Sequence, residues 1–249
     1  MGKLDNRYAV VTGAGKGIGR AIAERFLEDG VAGVALFDMD LPLAENTAKE
    51  LDPTGEKVIA VQCDVSDEEG VKAAFNSVFE KFGKVDILVN NAGITRDAMF
   101  HKMTTDMAKK VLDVHFFGTF YCCQAVIPGM RERNYGKIVN ISSVSAMGNV
   151  GQTNYSAAKS AIEGFTRTLA LECGRKNITV NAIAPGMVNT DILKSIPADI
   201  MQQKINSVPM QRVGEPSEVA AVASFLASDD SSWVTGNCIL CCGGQKMKP

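Results

Sequence analysis

The chain has 249 residues, 46% hydrophobic and 22% charged, with a formal net charge of −2. That length suits one large domain or two small ones, and the near-neutral balance, with no basic block, argues against nucleic-acid or anionic-membrane partners. No apolar run approaches the roughly eighteen residues of a membrane span, and the start MGKLDNRYAVVTGAG reads as neither a signal peptide nor a myristoylation signal.

Short β-branched runs alternate with longer amphipathic ones. YAVVTG predicts a first buried strand, followed by a helix from about Gly17 to Asp29. GVALFD is a second strand with a helix after Pro42, and KVIAVQCD a third with a helix from about Asp67 to Phe82. VDILVNNAG is a fourth, leading into a long helical stretch from about Asp106 to Arg133. GKIVNISS is a fifth, followed by a helix carrying Tyr155; ITVNAIAPG is a sixth and NCILCCGG a seventh. Strands apolar along their whole length are covered on both faces. Strict β–α alternation gives right-handed crossovers. The expectation is one α/β domain over residues 1–249, of Rossmann type. It is doubly wound, with a seven-stranded parallel sheet and helices on both faces. The stretch 186–214 has the weakest periodicity and reads as a substrate loop.

Seven cysteines, Cys63, Cys122, Cys123, Cys173, Cys238, Cys241 and Cys242, form an odd set with two adjacent pairs and are read as lacking metal-type spacing. They predict reduced, mostly buried thiols in a cytoplasmic protein and no metal site.

The turn after the first strand, TGAGKGIG, places Gly13, Gly17 and Gly19 at GxxxGxG spacing, with Gly15, Lys16 and Ile18 between them. A glycine-rich turn opening a helix lets a backbone approach a pyrophosphate and aims the helix N-terminus at it. No GK[ST] follows, which disfavours a triphosphate P-loop. Asp38, followed by Met39, closes the second strand 38 − 19 = 19 residues past Gly19. A carboxylate there bonds ribose hydroxyls and repels a 2′-phosphate, favouring NAD over NADP; the alternative is a solvated acid at a strand end. In NYSAAKSAIEGF, Tyr155 and Lys159 stand four apart, on one helix face. An adjacent ammonium lowers a phenol's pKa, so the pair is a candidate acid/base catalyst without histidine. The alternative is an ordinary helix face with two long side chains.

Taken together, the GxxxGxG turn, NNAG at Asn90–Gly93, the Tyr155–Lys159 pair and Pro185–Gly186 resemble the short-chain dehydrogenase/reductase family. GITRDAMFHKMT, GNVGQTNYSAAK and ITVNAIAPG are most similar to its 3-oxoacyl-ACP and acetoacetyl-CoA reductases. The resemblance covers essentially the whole chain. It implies that Tyr155 is the general acid/base and that Lys159 tunes it and binds the nicotinamide ribose. It implies further cofactor contacts from Asp64 and Val65, from Asn91, Ala92 and Gly93, and from Pro185, Gly186, Val188 and Thr190. It also implies a serine at the end of the fifth strand. Counting forward from His115 points to Ser143, and counting back from Tyr155 points to Ser142. Ser143 is favoured, because a loop absorbs a deletion more easily than a buried strand. His115 stands where the family has a catalytic asparagine, so it either continues a proton relay or is a packed helix residue. Cys242 replaces a family aspartate that often lies near a subunit contact. His101 and Trp233 read as structural. A homotetramer through the long helices is expected, with FFGTFYCCQAVI either buried between subunits or facing the domain core. The implied activity is NAD(H)-dependent interconversion of a ketone and a secondary alcohol, with a 3-oxoacyl thioester (acyl-CoA or acyl-ACP) leading. A small or cyclic alcohol or hydroxysteroid dehydrogenase is the runner-up, and a catalytically silent dinucleotide sensor or scaffold the rival class.

Overall fold

The computed structural model describes residues 2–191, 193 and 198–246. Its strands are β1 (Tyr8–Thr12), β2 (Gly33–Asp38), β3 (Val58–Gln62), β4 (Ile87–Asn90), β5 (Gly136–Ile141), β6 (Ile178–Pro185) and β7 (Cys238–Cys241). They form one parallel sheet in the order β3-β2-β1-β4-β5-β6-β7. The order reverses between β1 and β4. In an open α/β sheet that reversal opens a crevice at the carboxyl ends of the strands.

The helices are α1 (Gly17–Glu28), α2 (Leu41–Leu51), α3 (Glu68–Phe82), α4 (Thr105–Leu112), α5 (Gly118–Arg133), α6 (Thr153–Cys173), α7 (Ala198–Asn206) and α8 (Pro216–Ala227). Successive strand residues point to opposite faces, and the core divides accordingly. Ala9, Val11, Leu36 and Ile183 meet Ile22 and Phe26 of α1 and Ala223 and Leu226 of α8. Val10, Phe37, Leu88 and Val180 meet Phe75 and Val78 of α3 and Cys122, Val126 and Met130 of α5.

Three features depart from the sequence reading. First, the expected helix from Asp106 to Arg133 is interrupted by a π turn over Asp113–Phe117. Taken together through the π turn, the helical span Thr105–Arg133 is long and apolar enough, by length and composition alone, to cross a membrane. Counting unbroken apolar runs misses this, because polar residues break the run without lowering its average enough. Cys122, Cys123, Val126 and Met130 of this helix lie buried in the sheet-facing core. Second, α8 has no counterpart among the helices expected from the sequence. Its signals are nonetheless present: Pro216 in the first turn and a capping box between Glu215 and Glu218. Third, Cys238 and Cys241 do have C-x-x-C spacing. A strand sends residues three apart to opposite faces, so the thiols diverge. Cys238 Sγ donates to Glu163 Oε1 on α6, and Cys241 Sγ donates to the Glu218 carbonyl on α8. All seven cysteines are free thiols. Within the expected substrate loop, α7 and the Val188–Gly214 bridge are formed; residues 192 and 194–197 lie outside the described residues.

Candidate active site

The turns at the carboxyl ends of the strands build the crevice. After β1 the chain turns at Gly13 with φ +63°, where a Cβ would come within 2.9 Å of Ala92 Cα. Conformation and close approach both require glycine there. Helix α1 begins at Gly17 and has no side-chain cap from Lys16. Its first N–H groups therefore have no side-chain acceptor, the arrangement that receives a phosphate. Asn91 locks this turn to β4: its Nδ2 donates to the Thr12 and Gly13 carbonyls at 2.9 and 3.0 Å. Thr12 answers from β1, its Oγ1 accepting from the backbone N–H of Asn91 and of Ala92 at 3.0 Å each. Sequence reasoning missed Thr12, whose only signal was a hydroxyl at the end of an otherwise apolar strand.

At the tip of β2, Asp38 Oδ2 accepts from Gly15 N–H at 2.9 Å and Oδ1 from Asp40 N–H at 3.1 Å. The carboxylate is thus held beside the glycine turn, with Met39 exposed next to it. Asp64 Oδ1 accepts from the N–H and hydroxyl of Ser66 at 2.9 and 2.6 Å. Val65 is buried against Gly118, and Ile18 packs on the core beneath α1. Gly186 N–H bonds the Cys241 carbonyl where β6 leaves the sheet at Pro185. Val188 is buried. Thr190 faces Gly17 across the crevice, and Lys16 Nζ lies 3.4 Å from Asp191 Oδ2.

Beyond β5 the two serines part. Ser142 is buried, and its hydroxyl is directed at the Lys159 carbonyl (3.3 Å) and Glu163 Oε1 (3.2 Å) on α6. Ser143 is half-buried and its hydroxyl acts to lower the pKa of the Tyr155 phenol; its oxygen accepts from Ser145 N–H at 3.1 Å. A buried polar ladder fixes α6 against the sheet. Asn90 Nδ2 donates to Asn140 Oδ1 at 2.8 Å, and Asn140 Nδ2 donates to Thr166 Oγ1 at 2.9 Å. Lys159 Nζ is buried and donates to the Ile141 carbonyl at 2.6 Å. It stands 5.6 Å from the centroid of the Tyr155 ring. Burial lowers the Lys159 pKa to about 7. Burial also raises the phenol of Tyr155 above its ordinary value, against the lowering from Ser143, while the charge of Asp97 adds to the rise. This reverses the direction that the tyrosine–lysine spacing predicts. Lys159 Nζ is turned to the Ile141 carbonyl, and desolvation of the buried phenol is the largest cause of its shift.

His115 occupies the π turn and is buried edge-on to Tyr155, with ring centroids 5.1 Å apart at 88°. Its Nε2 lies 2.8 Å from the Ile94 carbonyl and 3.1 Å from Ile94 N–H. Nδ1 is buried with no hydrogen-bond partner. Burial, then the neighbouring Lys159 charge, lowers the imidazole pKa to about 3, so the ring is neutral at physiological pH. Gly93 is required beside it, since a Cβ there would collide with the His115 ring.

Residues 13–246 match the family described as Enoyl-(Acyl carrier protein) reductase. An uncharacterised oxidoreductase of Mycobacterium bovis is 47% identical over 97% of this chain and 98% of its own. The acetoacetyl-CoA reductase of Cupriavidus necator is 40% identical over 98% of this chain and 100% of its own. The 3-oxoacyl-[acyl-carrier-protein] reductase of Chlamydia muridarum is 41% identical over 97% and 98%. The chain belongs to the short-chain dehydrogenase/reductase family. As a member of that family it is an oxidoreductase that uses a nicotinamide dinucleotide. The short-chain dehydrogenase/reductase crevice fits that cofactor on its own residues: a glycine turn that a Cβ would fill, an uncapped helix N-terminus and a carboxylate at the tip of β2. Among the described residues no group of three or more metal-type ligands occurs.

Proposed function

We propose that this protein interconverts a ketone and a secondary alcohol with NAD(H), and that a 3-oxoacyl thioester and its 3-hydroxy form are its substrate pair. The observation that carries this reading is the convergence of Tyr155, Ser143 and Lys159 at the carboxyl end of β5. When bound, a nicotinamide gives or takes the hydride. Tyr155 holds the proton that passes to or from the substrate oxygen, and its raised pKa suits the donor role in reduction. Ser143 presents a hydroxyl to the developing charge on that oxygen. Lys159 orients the ribose and feeds protons toward the phenol. His115, neutral and with Nδ1 unpartnered, offers an acceptor for a water on that path.

The preference for NAD rests on Asp38, whose fixed carboxylate repels a 2′-phosphate. The thioester rests on the named relatives that act on acetoacetyl-CoA and 3-oxoacyl carrier protein. The reading includes a cytoplasmic setting, supported by seven free cysteines, and assembly of copies through the aromatic face of α5 and α6.

The test measures NADH absorbance with acetoacetyl-CoA beside an enoyl thioester and a panel of cyclic and small secondary alcohols. Acetoacetyl-CoA is expected to be turned over, and Tyr155→Phe to reduce that turnover by about 100-fold or more, the usual contribution of an acid/base group. Turnover of the enoyl thioester alone, or of an alcohol alone, replaces the substrate assignment. No turnover with any of them favours the silent sensor.

A further inference from the structure

The glycine turn is also held from α2, by a residue that no motif marks. Gly15 is fixed at both of its backbone groups. Its N–H donates to Asp38 Oδ2 at 2.9 Å, and its carbonyl accepts from the Thr47 hydroxyl of α2 at 2.7 Å. Thr47 is 1% exposed and shares the buried face of α2 with Ala44 and Ala48. A threonine inside a helix commonly turns its hydroxyl back to a carbonyl of its own helix. This one reaches a carbonyl 32 residues away in the chain instead.

The start of α2 belongs to the same network. Asp38 Oδ1 accepts from Asp40 N–H at 3.1 Å, and Asp40 caps α2 by accepting from Leu43 N–H at 3.1 Å. Leu43 and Thr47 stand four apart, on one helix face, and both meet Gly15. A Cβ at Gly15 would come within 2.9 Å of Leu43 Cγ and of Asp38 Oδ2, so the turn is pressed closely onto α2 and the tip of β2.

A carbonyl oxygen is the wrong pole for an anion, whereas backbone N–H groups receive one. In a trans peptide the carbonyl and the next N–H point opposite ways. Holding the Gly15 carbonyl on α2 therefore turns the Lys16 N–H away from α2. Lys16 directly precedes α1, whose first N–H groups have no side-chain cap. We propose that Thr47 is a positioning residue for the dinucleotide: its hydroxyl keeps the Gly15 carbonyl on α2, and with it the glycine turn in the shape that receives a diphosphate.

The experiment measures binding of ADP-ribose to the full chain by calorimetry. This probe carries the adenosine and the diphosphate without a nicotinamide or a 2′-phosphate. The result is thus independent of the substrate and of the choice between NAD and NADP. Thr47→Val keeps the shape of the side chain and removes the donor. Its Kd is expected to rise about five- to tenfold, as loss of one hydrogen bond gives. Thr47→Ser keeps the hydroxyl and is expected to retain most of the affinity. A Kd for Thr47→Val within about twofold of the parent's overturns the proposal. So does a loss in Thr47→Ser as large as in Thr47→Val, because it reports the packing of α2 rather than the hydrogen bond. Circular dichroism checks the fold, and if Thr47→Val is unfolded, Thr47→Ala against Thr47→Ser makes the same comparison. A parent that binds no ADP-ribose removes the turn as a diphosphate site, and the proposal with it. A parent that binds ADP-ribose but reduces no ketone sinks the proposed substrate reading and leaves the role of Thr47 standing.

Discussion

Ser142 and Ser143 are chain neighbours whose hydroxyls face different partners, one the buried side of α6 and the other Tyr155. We expect Ser143→Ala to lower kcat with acetoacetyl-CoA steeply, since losing one donor to a developing oxyanion costs about 2.7–4 kcal/mol in a well-studied hydrolase. Ser142→Ala is expected to act on stability instead, because it leaves Glu163 without one buried donor, a loss of about 1–3 kcal/mol. Steady-state rates beside thermal melts separate the two, and a steep rate loss in Ser142→Ala with none in Ser143→Ala would reverse the assignment. Counting residues from His115 and from Tyr155 brackets this pair without choosing between them, because spacing carries no orientation. What separates them is that β5 ends at Ile141 and the backbone then turns into Val144–Met147. The glycine turn was more legible, since conformation and crowding at Gly13 admit almost no other residue. The pKa directions were not legible, because they depend on burial, which no spacing reports.

At the scale of elements, α6 and the π turn bring two buried bases, Lys159 and His115, next to one another. Both have folded pKa values below their ordinary ones, about 7 against 10.5 and about 3 against 6.5. Proton counting gives the sign. Between the folded and unfolded values the unfolded chain binds more protons, so stability rises with pH through each window. His115 therefore weakens the fold as pH falls from about 6.5 towards 3, and the Lys159 penalty is fully present at pH 7 and lifted as pH climbs towards 10.5. Lys159→Met is expected to remove turnover yet raise the melting temperature at neutral pH, with the gain shrinking in alkaline buffer. A lower melting temperature at neutral pH would show that the bond to the Ile141 carbonyl outweighs desolvation. The same values set the expectation for His115: His115→Asn should leave the pH–rate profile near neutrality unmoved, because burial keeps the imidazole from titrating there. Alternation of apolar runs revealed all seven strands, while α8 stayed hidden for a physical reason. It has an apolar sequence and buries Val219, Ala220, Ala223, Leu226 and Ala227, so little polar stripe remains to announce a helix.

For the whole molecule, the question is what covers the aromatic surface of the long helices. The run FFGTFYCCQAVI is divided by helical geometry: Cys122, Cys123 and Val126 point into the core. Phe116, Phe120 and Tyr121 are partly buried and Phe117 is exposed; Phe116 and Phe120 meet Phe165 of α6, with ring centroids 6.1 and 6.2 Å apart. Phe117 is 42% exposed. A cluster of partly exposed aromatic rings on two adjacent helices is costly in water, and in the proposed assembly it is the face where copies meet. Its position on α5 and α6, behind Tyr155 and His115, ties any such contact to the frame of the site. Contacts between identical chains are usually two-fold, and a two-fold axis brings the same patch of each copy together. A charge placed there then meets its own image. Phe117→Asp is expected to fold, since the parent side chain is already partly in water, but to lower the native mass measured by light scattering. The parent's melting temperature should rise with protein concentration, as it does when folding is linked to association, and that dependence should fade in Phe117→Asp. A parent that runs as a monomer at every concentration, or a variant with unchanged mass, removes this face as the contact between copies.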